Sequence, residues 1–346
     1  MTYTPLSPHA VAQAQTRIAP YIHRTPLLSS SLLNTWLSEA LPENQKHQVF
    51  FKVEGLQKIG AFKVRGALNA LLSLKEQGTL PAHVVAFSSG NHAQAVAYAA
   101  KTLGVKATIL IPKGSSAVKI QATKAYGADV IVAETRNDAE ARVADFEAKG
   151  AVFIHPYDND AIIAGQGTSC LEALQDGVVP NAIFASCGGG GWLSGTFLAS
   201  RLLCPSAKVF AAEPLRGNDA TQSYREGSIV KLPAAPDTLA DGARTLAVSE
   251  RTFHYLRQLN DFFEIEEQEM AYWTQWLMHL LKVAVEPTSA MSMAAAQRWL
   301  SLQDTPQNVL IMLSGGNIDA QTYTKVFACD YLGDLPNLQA PWSVAA

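Results

Sequence analysis

Short apolar runs alternate with alanine-rich helical stretches along most of this chain, and that alternation constrains the fold more than any other feature. QVFFKVE (48–54), HVVAFSS (83–89), KATILIP (106–112), DVIVAE (129–134), AVFIHP (151–156), NAIFASC (181–187), KVFAAEP (208–214) and NVLIMLSGG (308–316) read as strands. Between them, 61–78, 91–104, 116–127, 136–150 and 165–177 read as helices, each ending on a glycine. Glycine just past a helix supplies the left-handed residue that closes it. Strands apolar along their whole length, separated by helices, are buried on both faces of a parallel sheet. The pattern predicts an α/β protein with open, mostly parallel sheets.

Composition narrows the function classes. The chain has 346 residues, room for roughly two domains. Its net charge is −3, with 16% charged residues, which is not the basic stripe of a nucleic-acid binder. No apolar run reaches the ~18 residues of a membrane span. The N-terminal stretch lacks the basic start and apolar core of a signal peptide. Cys170, Cys187, Cys204 and Cys329 form no CxxC pair, so reduced thiols and a cytoplasmic setting are expected.

In open α/β sheets, ligands bind beyond the carboxyl ends of the strands, so the loops after the strands carry the functional signal. After FFKVE comes GLQKIGAFK; after VVAF, SSGNHAQ (88–94); after AIFAS, CGGGGWLSG (187–195); after VLIML, SGGN (314–317). Gly188–Gly191 can present backbone N–H groups to a phosphate at a helix start, or form an ordinary flexible turn. It matches neither a Walker loop nor the GxGxxG dinucleotide spacing. SSGNHAQ can hold a carboxylate at a helix N-terminus, or simply cap that helix through Ser89 or Asn91. Lys63 stands at a helix mouth beside Phe62. It is either a solvated helix residue or an amine that carries a cofactor. A phosphate cradle, a carboxylate loop and such a lysine together suit pyridoxal 5′-phosphate, whose ring nitrogen Ser314 would meet.

These residues resemble a known family. GAFKVRGA, SSGNHAQA, AGQGT, GGGGWLSG, LADGART, EPTSA and LSGGN occur in the order found in serine/threonine dehydratases and serine racemases, fold-type II pyridoxal-phosphate enzymes related to the tryptophan synthase β subunit. The similarity runs from RIAPYIHRTPLL to LSGGNID. It implies two open twisted sheet domains with the cofactor in the cleft between them: 1–83 plus 156–346 as the large domain, and 84–155 as a small mobile domain. It also implies roles. Lys63 would carry the cofactor as a Schiff base and move the Cα proton. Phe62 and Trp192 would pack beside the cofactor, and Asn91 would bond its phenolic oxygen. Gly188, Gly189, Gly190 and Gly191 would cradle the phosphate, Gly242 and Glu286 would line its other edge, and Ser314 would face the ring nitrogen. Ser88, Ser89, Gly90, Asn91 and His92 would bind the substrate carboxylate, with Ser89 also placed as an acid/base on the opposite face.

The implied reaction removes water from L-threonine or L-serine to give a 2-oxo acid and ammonia. Serine racemisation, 3-hydroxyaspartate dehydration and phenylserine-type dehydration are the alternatives within the family, and a catalytically silent amino-acid-binding protein is the alternative outside it. A 3-hydroxyaspartate enzyme needs a cation for the second carboxylate; Arg136 and Arg244 exist, and the sequence places neither in a pocket. EPLRGND sets Glu213, the Gly217 carbonyl and Asp219 at the spacing of the family's metal-dependent members, which implies Mg²⁺, or Mn²⁺ or Ca²⁺; otherwise it is a solvated acidic turn. The resemblance implies a homodimer. The family's C-terminal regulatory domain has no counterpart after SGGN, so feedback inhibition by isoleucine is not expected. YWTQWLMHLLKVAVEP reads as core or dimer contact.

Overall fold

The structure, a computed structural model, describes residues 3–42, 45–88, 90–115 and 117–338, without the side chains of 136 and 137. Its strands are β1 (Leu27–Ser29), β2 (Gln48–Val53), β3 (His83–Phe87), β4 (Lys106–Pro112), β5 (Asp129–Ala133), β6 (Val152–Phe153), β7 (Ala182–Ser186), β8 (Lys208–Pro214), β9 (Asp261–Ile265) and β10 (Asn308–Leu313). They form two sheets. The six-stranded sheet has the order β1-β2-β10-β7-β8-β9, and the four-stranded sheet β5-β4-β3-β6. All neighbours run parallel except β1, which pairs antiparallel with β2.

The alternation in the sequence therefore reads the architecture, with local differences. The helix closers Gly78, Gly104, Gly127 and Gly150 all take positive φ. The stretch 136–150 is two short helices, Arg136–Ala141 and Val143–Glu147, rather than one. The run 151–156 contributes only a two-residue strand; beyond it the chain turns, His155 Nδ1 accepting from the Tyr157 and Asp158 backbone, and Pro156 reaches the cleft. β1 and β9 add to the strands legible in the sequence. β1 is a three-residue edge strand, and DFFEI of β9 carries Asp261 and Glu264, which blur its apolar signal.

One face of the large sheet packs on the helices Glu267–Leu281 and Pro287–Leu300, through Trp273, Trp276, Met291 and Leu300. The aromatic-rich helix is thus core of this chain. The other face packs on Asp160–Gln175 and Gly191–Leu203. These two helices cross at glycines: a Cβ on Gly195 would stand 2.4 Å from the Ile163 carbonyl oxygen, and one on Gly167 2.5 Å from that of Gly195. The glycines of AGQGT and of WLSG thus let two backbones touch.

The helix Lys63–Glu76 packs on both the Asn91–Leu103 helix of the small sheet and the Asp160–Gln175 helix of the large one. Beneath its first turn lies a buried ionic cluster. Arg65 donates to Glu54 through Nε (2.7 Å) and Nη2 (2.9 Å), and to Glu172 through Nη1 (2.8 Å) and Nη2 (2.9 Å). Lys52 Nζ adds a bond to Glu172 at 2.7 Å, and Thr25 donates to Glu54 at 2.6 Å. Lys52, Glu54 and Arg65 are fully buried. Two cations balance two carboxylates, which is the condition for holding such charges out of water.

Candidate active site

β2, β10 and β7 are adjacent in the large sheet, so their carboxyl-end loops meet. GAFK and SGG, some 250 positions apart in the chain, are clipped by backbone: Phe62 N–H donates to the Ser314 carbonyl (3.0 Å) and Gly316 N–H to that of Gly60 (3.0 Å). Gly60 has φ +73°, and a Cβ there would sit 2.6 Å from Asn317 Oδ1. The turn before Lys63 thus requires glycine both for its conformation and for space. Glu286 N–H bonds the Gly315 carbonyl at 3.1 Å, and Gly242 N–H bonds Thr288 Oγ1 at 3.1 Å. EPTSA and LADG are joined to the same cluster by these bonds.

The resulting cleft lies between the two sheets. It is lined by Phe62, Lys63, Ser88, Gly90, Asn91, His92, Gly188, Gly189, Gly190, Trp192, Gly242, Glu286 and Ser314, all anticipated from the sequence. Gly191 begins the helix behind them. Ser89 falls outside the described residues. Lys63 Nζ donates to the Pro156 carbonyl at 2.9 Å and stands 5.0 Å from the Phe62 ring centroid. Burial pulls its ammonium down to about 8, against the opposing pull of the Glu286 carboxylate. The Phe62 ring stacks on Trp192 with centroids 4.3 Å apart and planes 10° from parallel. Trp192 Nε1 is tied to Ser169 at 2.9 Å. The pair is a rigid apolar wall beside the amine.

The glycine loop is a cradle. Gly190 has φ +84° and leads into the 13-residue helix Gly191–Leu203. A Cβ on Gly189 would come within 2.2 Å of the Tyr157 ring. Free backbone curvature at a helix N-terminus is the geometry that receives a phosphate.

Asn91 is fixed by hydrogen bonds to its side-chain amide. Its Nδ2 donates to Glu286 Oε2 at 3.1 Å, and its Oδ1 accepts from Asn317 Nδ2 at 2.8 Å. Asn317 also donates to the Ile59 carbonyl at 2.8 Å. Ser314 Oγ donates to Glu286 Oε1 at 2.8 Å and lies 2.9 Å from Ser289 Oγ. Burial, with the nearby Asp241 charge, lifts the Glu286 carboxyl to about 7. The His92 ring is buried, its Nε2 2.7 Å from the Ile154 carbonyl. That carbonyl accepts, so Nε2 carries the proton. Burial and the Lys63 charge hold His92 neutral, with its pKa down to about 3. It contributes no cation to the substrate loop.

The structure also adds residues that the sequence reading missed. Tyr157, Pro156, Thr288, Asp241 and Thr245 line the cleft, and Asn317 and Ser289 support it. Asn317 and Ser289 lie inside the quoted SGGN and EPTSA motifs, so the signal was available; HPYDND carried none of the patterns sought. Arg244 lines the cleft as well, whereas the Arg136 side chain is outside the described ones. Lys119, on the helix Ala117–Ala125, pairs with Asp241 across the two sheets.

Glu213 and Asp219 are both buried, which removes the solvated-turn reading, and Gly217 between them is buried too. Glu213 accepts from Ala220 N (3.0 Å), Thr221 N (2.8 Å) and Thr221 Oγ1 (2.7 Å). Among the described residues, Asp219 Oδ2 finds no hydrogen-bond partner. Burial, reinforced by the Asp219 charge, pushes Glu213 well up; burial lifts Asp219 to about 7. Among the described residues no cluster of three or more His, Cys, Asp or Glu side chains stands together as a metal site; this pair would need the backbone carbonyl as its third ligand. The four cysteines are unpaired. Among the described residues no helix is long and apolar enough to cross a membrane.

The sequence pattern of the pyridoxal-phosphate dependent enzyme family matches residues 18–315. L-threo-3-hydroxyaspartate ammonia-lyase of Saccharomyces cerevisiae is 41% identical over 92% of this chain and 95% of its own. Serine racemase of Schizosaccharomyces pombe is 40% identical over 90% and 94%. Among solved structures, a T.th. threonine deaminase superposes with a TM-score of 0.83 at 40% identity, covering 91% of this chain and 99% of that one.

Proposed function

The chain belongs to the pyridoxal-phosphate-dependent enzyme family, and from that premise we propose that it is an ammonia-lyase which removes water and then ammonia from a β-hydroxy amino acid, L-serine or L-threonine. The observation that carries this reading is Lys63: an amine with its pKa down to about 8, backbone-clipped into a cleft beside a glycine cradle. A binding protein has no use for an amine so placed.

In this reading Gly188–Gly191 and the helix behind them receive the cofactor phosphate. Phe62 and Trp192 would wall the cofactor ring, Asn91 would hold its phenolic oxygen, and Ser314 would face its nitrogen. When bound, pyridoxal phosphate supplies the electron sink that makes a substrate Cα–H bond acidic. The chain's own groups do the rest. Ser88, Gly90 and Asn91, at the start of the Asn91–Leu103 helix, would hold the substrate carboxylate. Lys63 Nζ takes the Cα proton, and its lowered pKa lets it act as a neutral base near pH 8. The β-hydroxyl leaves with a proton as water. The released enamine tautomerises to an imine, which takes up one water and gives up ammonia, so L-serine yields pyruvate and L-threonine yields 2-oxobutanoate. We assign the cleft-closing motion to the four-stranded sheet, whose Asn91 and Lys119 reach across to Glu286, Asn317 and Asp241.

The test is the absorption of the purified protein between 300 and 500 nm before and after borohydride, with 2-oxo acid assayed from each amino acid. A reducible band and 2-oxo acid formation support the reading. A protein that stays colourless after incubation with pyridoxal phosphate sinks it. A pH dependence follows from Lys63, since the neutral amine is the form that captures an aldehyde. Capture of pyridoxal phosphate by the apoprotein should quicken about tenfold per pH unit below 8 and level off above it. Stopped-flow absorbance reads this directly, and a midpoint near 10.5 would show an ordinary lysine.

Glu213 and Asp219, with the Gly217 carbonyl, complete the reading as a site for Mg²⁺ or a similar hard cation. The support is the orphaned Asp219 oxygen and two carboxyls that burial opposes in charged form. Adding MgCl₂ to chelator-treated protein should raise Tm by several degrees, and Asp219→Asn should abolish the rise. Equal melting with and without the ion, in wild type, would remove the metal.

A further inference from the structure

We propose that Arg251 is a positioning residue for the phosphate cradle: it locks together the two segments packed against Gly189, Gly190 and Gly191. The inference rests on the reading of that glycine loop as the receiver of the cofactor phosphate. Gly189 and Gly191 lie against Tyr157, on the loop 155–160; a Cβ on Gly191 would stand 2.8 Å from the Tyr157 Cβ. Gly190 lies against the helix Glu250–Leu256; a Cβ there would stand 2.7 Å from Leu256 Cδ1 and 3.1 Å from Thr252 Cβ. Glycines have no side chains with which to fix their own course, so the curve of the cradle depends on these neighbours.

Arg251 extends from that helix to the loop and bonds it twice. Its Nε donates to Asp158 Oδ1 at 3.1 Å and its Nη1 to Asp160 Oδ1 at 2.6 Å. The two carboxylates flank Asn159, whose Oδ1 caps the helix Asp160–Gln175 by accepting from the Ile162 N–H at 3.1 Å. Tyr157 Oη adds a bond to the Ala247 carbonyl at 3.1 Å, just ahead of the Glu250–Leu256 helix. The N-terminal segment closes over the guanidinium. The Tyr3 ring centroid lies 4.9 Å from Arg251 Cζ, and Tyr3 Oη donates to the same Asp160 oxygen at 2.9 Å. Its proton being used there, Tyr3 Oη accepts from Tyr255 Oη (2.8 Å), which in turn accepts from the Leu6 N–H (2.7 Å). Two ion pairs and an aromatic ring restrain this guanidinium far more than a lone surface pair would. Arg251 does not line the cleft, so it acts on the phosphate through the cradle and not by touching it.

The test titrates the full-length apoprotein with pyridoxal phosphate and with pyridoxal, followed by absorbance, in wild type, Arg251→Met, Arg251→Lys and Asp158→Asn. Both ligands offer Lys63 the same aldehyde and only one carries a phosphate, so the ratio of their affinities reads the cradle alone. That ratio should fall about tenfold in Arg251→Met. Lysine should recover part of it, because it offers a point charge that cannot span both carboxylates. Asp158→Asn removes one of the two ties and should lower the ratio by a smaller factor. A general loss of stability would weaken both ligands and leave the ratio unchanged, and melting curves follow it separately. In Arg251→Met, or in Arg251→Lys and Asp158→Asn together should the first not fold, a ratio within about twofold of wild type overturns the inference while the cradle reading stands. A higher ratio in Asp158→Asn overturns it too, because Arg251 would then supply charge and not position. A wild-type protein with no preference for pyridoxal phosphate over pyridoxal overturns the cradle reading and this inference together.

Discussion

Lys63→Ala abolishes turnover, by a factor on the order of 10³–10⁴ or more, and the purified variant loses its borohydride-reducible absorption band. Two functions disappear with one amine: the covalent hold on the cofactor, and the base at the substrate Cα. General base catalysis alone is worth about 10²–10⁴-fold. The fold should survive. Lys63 is the first residue of its helix and its Nζ makes one bond, to the Pro156 carbonyl. Burial also disfavours its ammonium. Removing it therefore takes away a group whose charged form the folded state tolerates poorly, and alanine is a better helix former. Melting at or slightly above the wild-type temperature, with activity gone, is the expected pair of results. Activity within tenfold of wild type would show that the chemistry lies elsewhere.

The second large effect is on stability. Arg65→Met should cost ~3–5 kcal/mol, because it strips the cation from a buried carboxylate rather than merely deleting a contact. The two carboxylates would fare differently. Glu172 keeps Lys52 at 2.7 Å. Glu54 keeps the Thr25 hydroxyl but no directly bonded cation, since Lys52 bonds Glu172 and reaches Glu54 only through space. The double variant Arg65→Met/Glu54→Gln should therefore recover a substantial part of the loss, a coupling that single variants would not reveal. A fall in Tm on the order of 10 °C for the single variant, measured by circular dichroism, is the check. Melting within about 2 °C of wild type would mean that the cluster is not the anchor its geometry indicates. Arg65 lies two positions after Lys63, so slippage of this helix would also move the amine. Activity lost along with stability in Arg65→Met, and regained in the double variant, would separate this positioning effect from Lys63's chemistry.

Much of the site was legible because its parts are backbone devices with local signatures. A glycine run before a helix, a small polar loop after a strand, and a lysine behind glycine and alanine each have a local physical reason, and all sit at strand ends. Order along the chain supplied the rest, since seven motifs in sequence tie the loops to one family. Asn317 and Ser289 escaped assignment although they sit inside quoted motifs. Their work is to hold Asn91 and Ser314 through bonds spanning 226 and 25 positions, and no local pattern reports a partner so distant. Tyr157 escaped for a related reason: it matters by filling the space above Gly189, which is a property of two segments together.

The sequence by itself determined the α/β alternation, the helix ends and the identity of the loops that line the cleft. Those depend on local dihedral preference and on a periodicity that can be read one segment at a time. The tertiary structure alone decided how charge is distributed among these loops. It made His92 neutral by burying it, lowered Lys63 by the same means, turned EPLRGND from a surface turn into a buried acid pair, and brought Arg244 to the cleft. Burial and the approach of distant charges set those properties, and neither exists until the chain has folded.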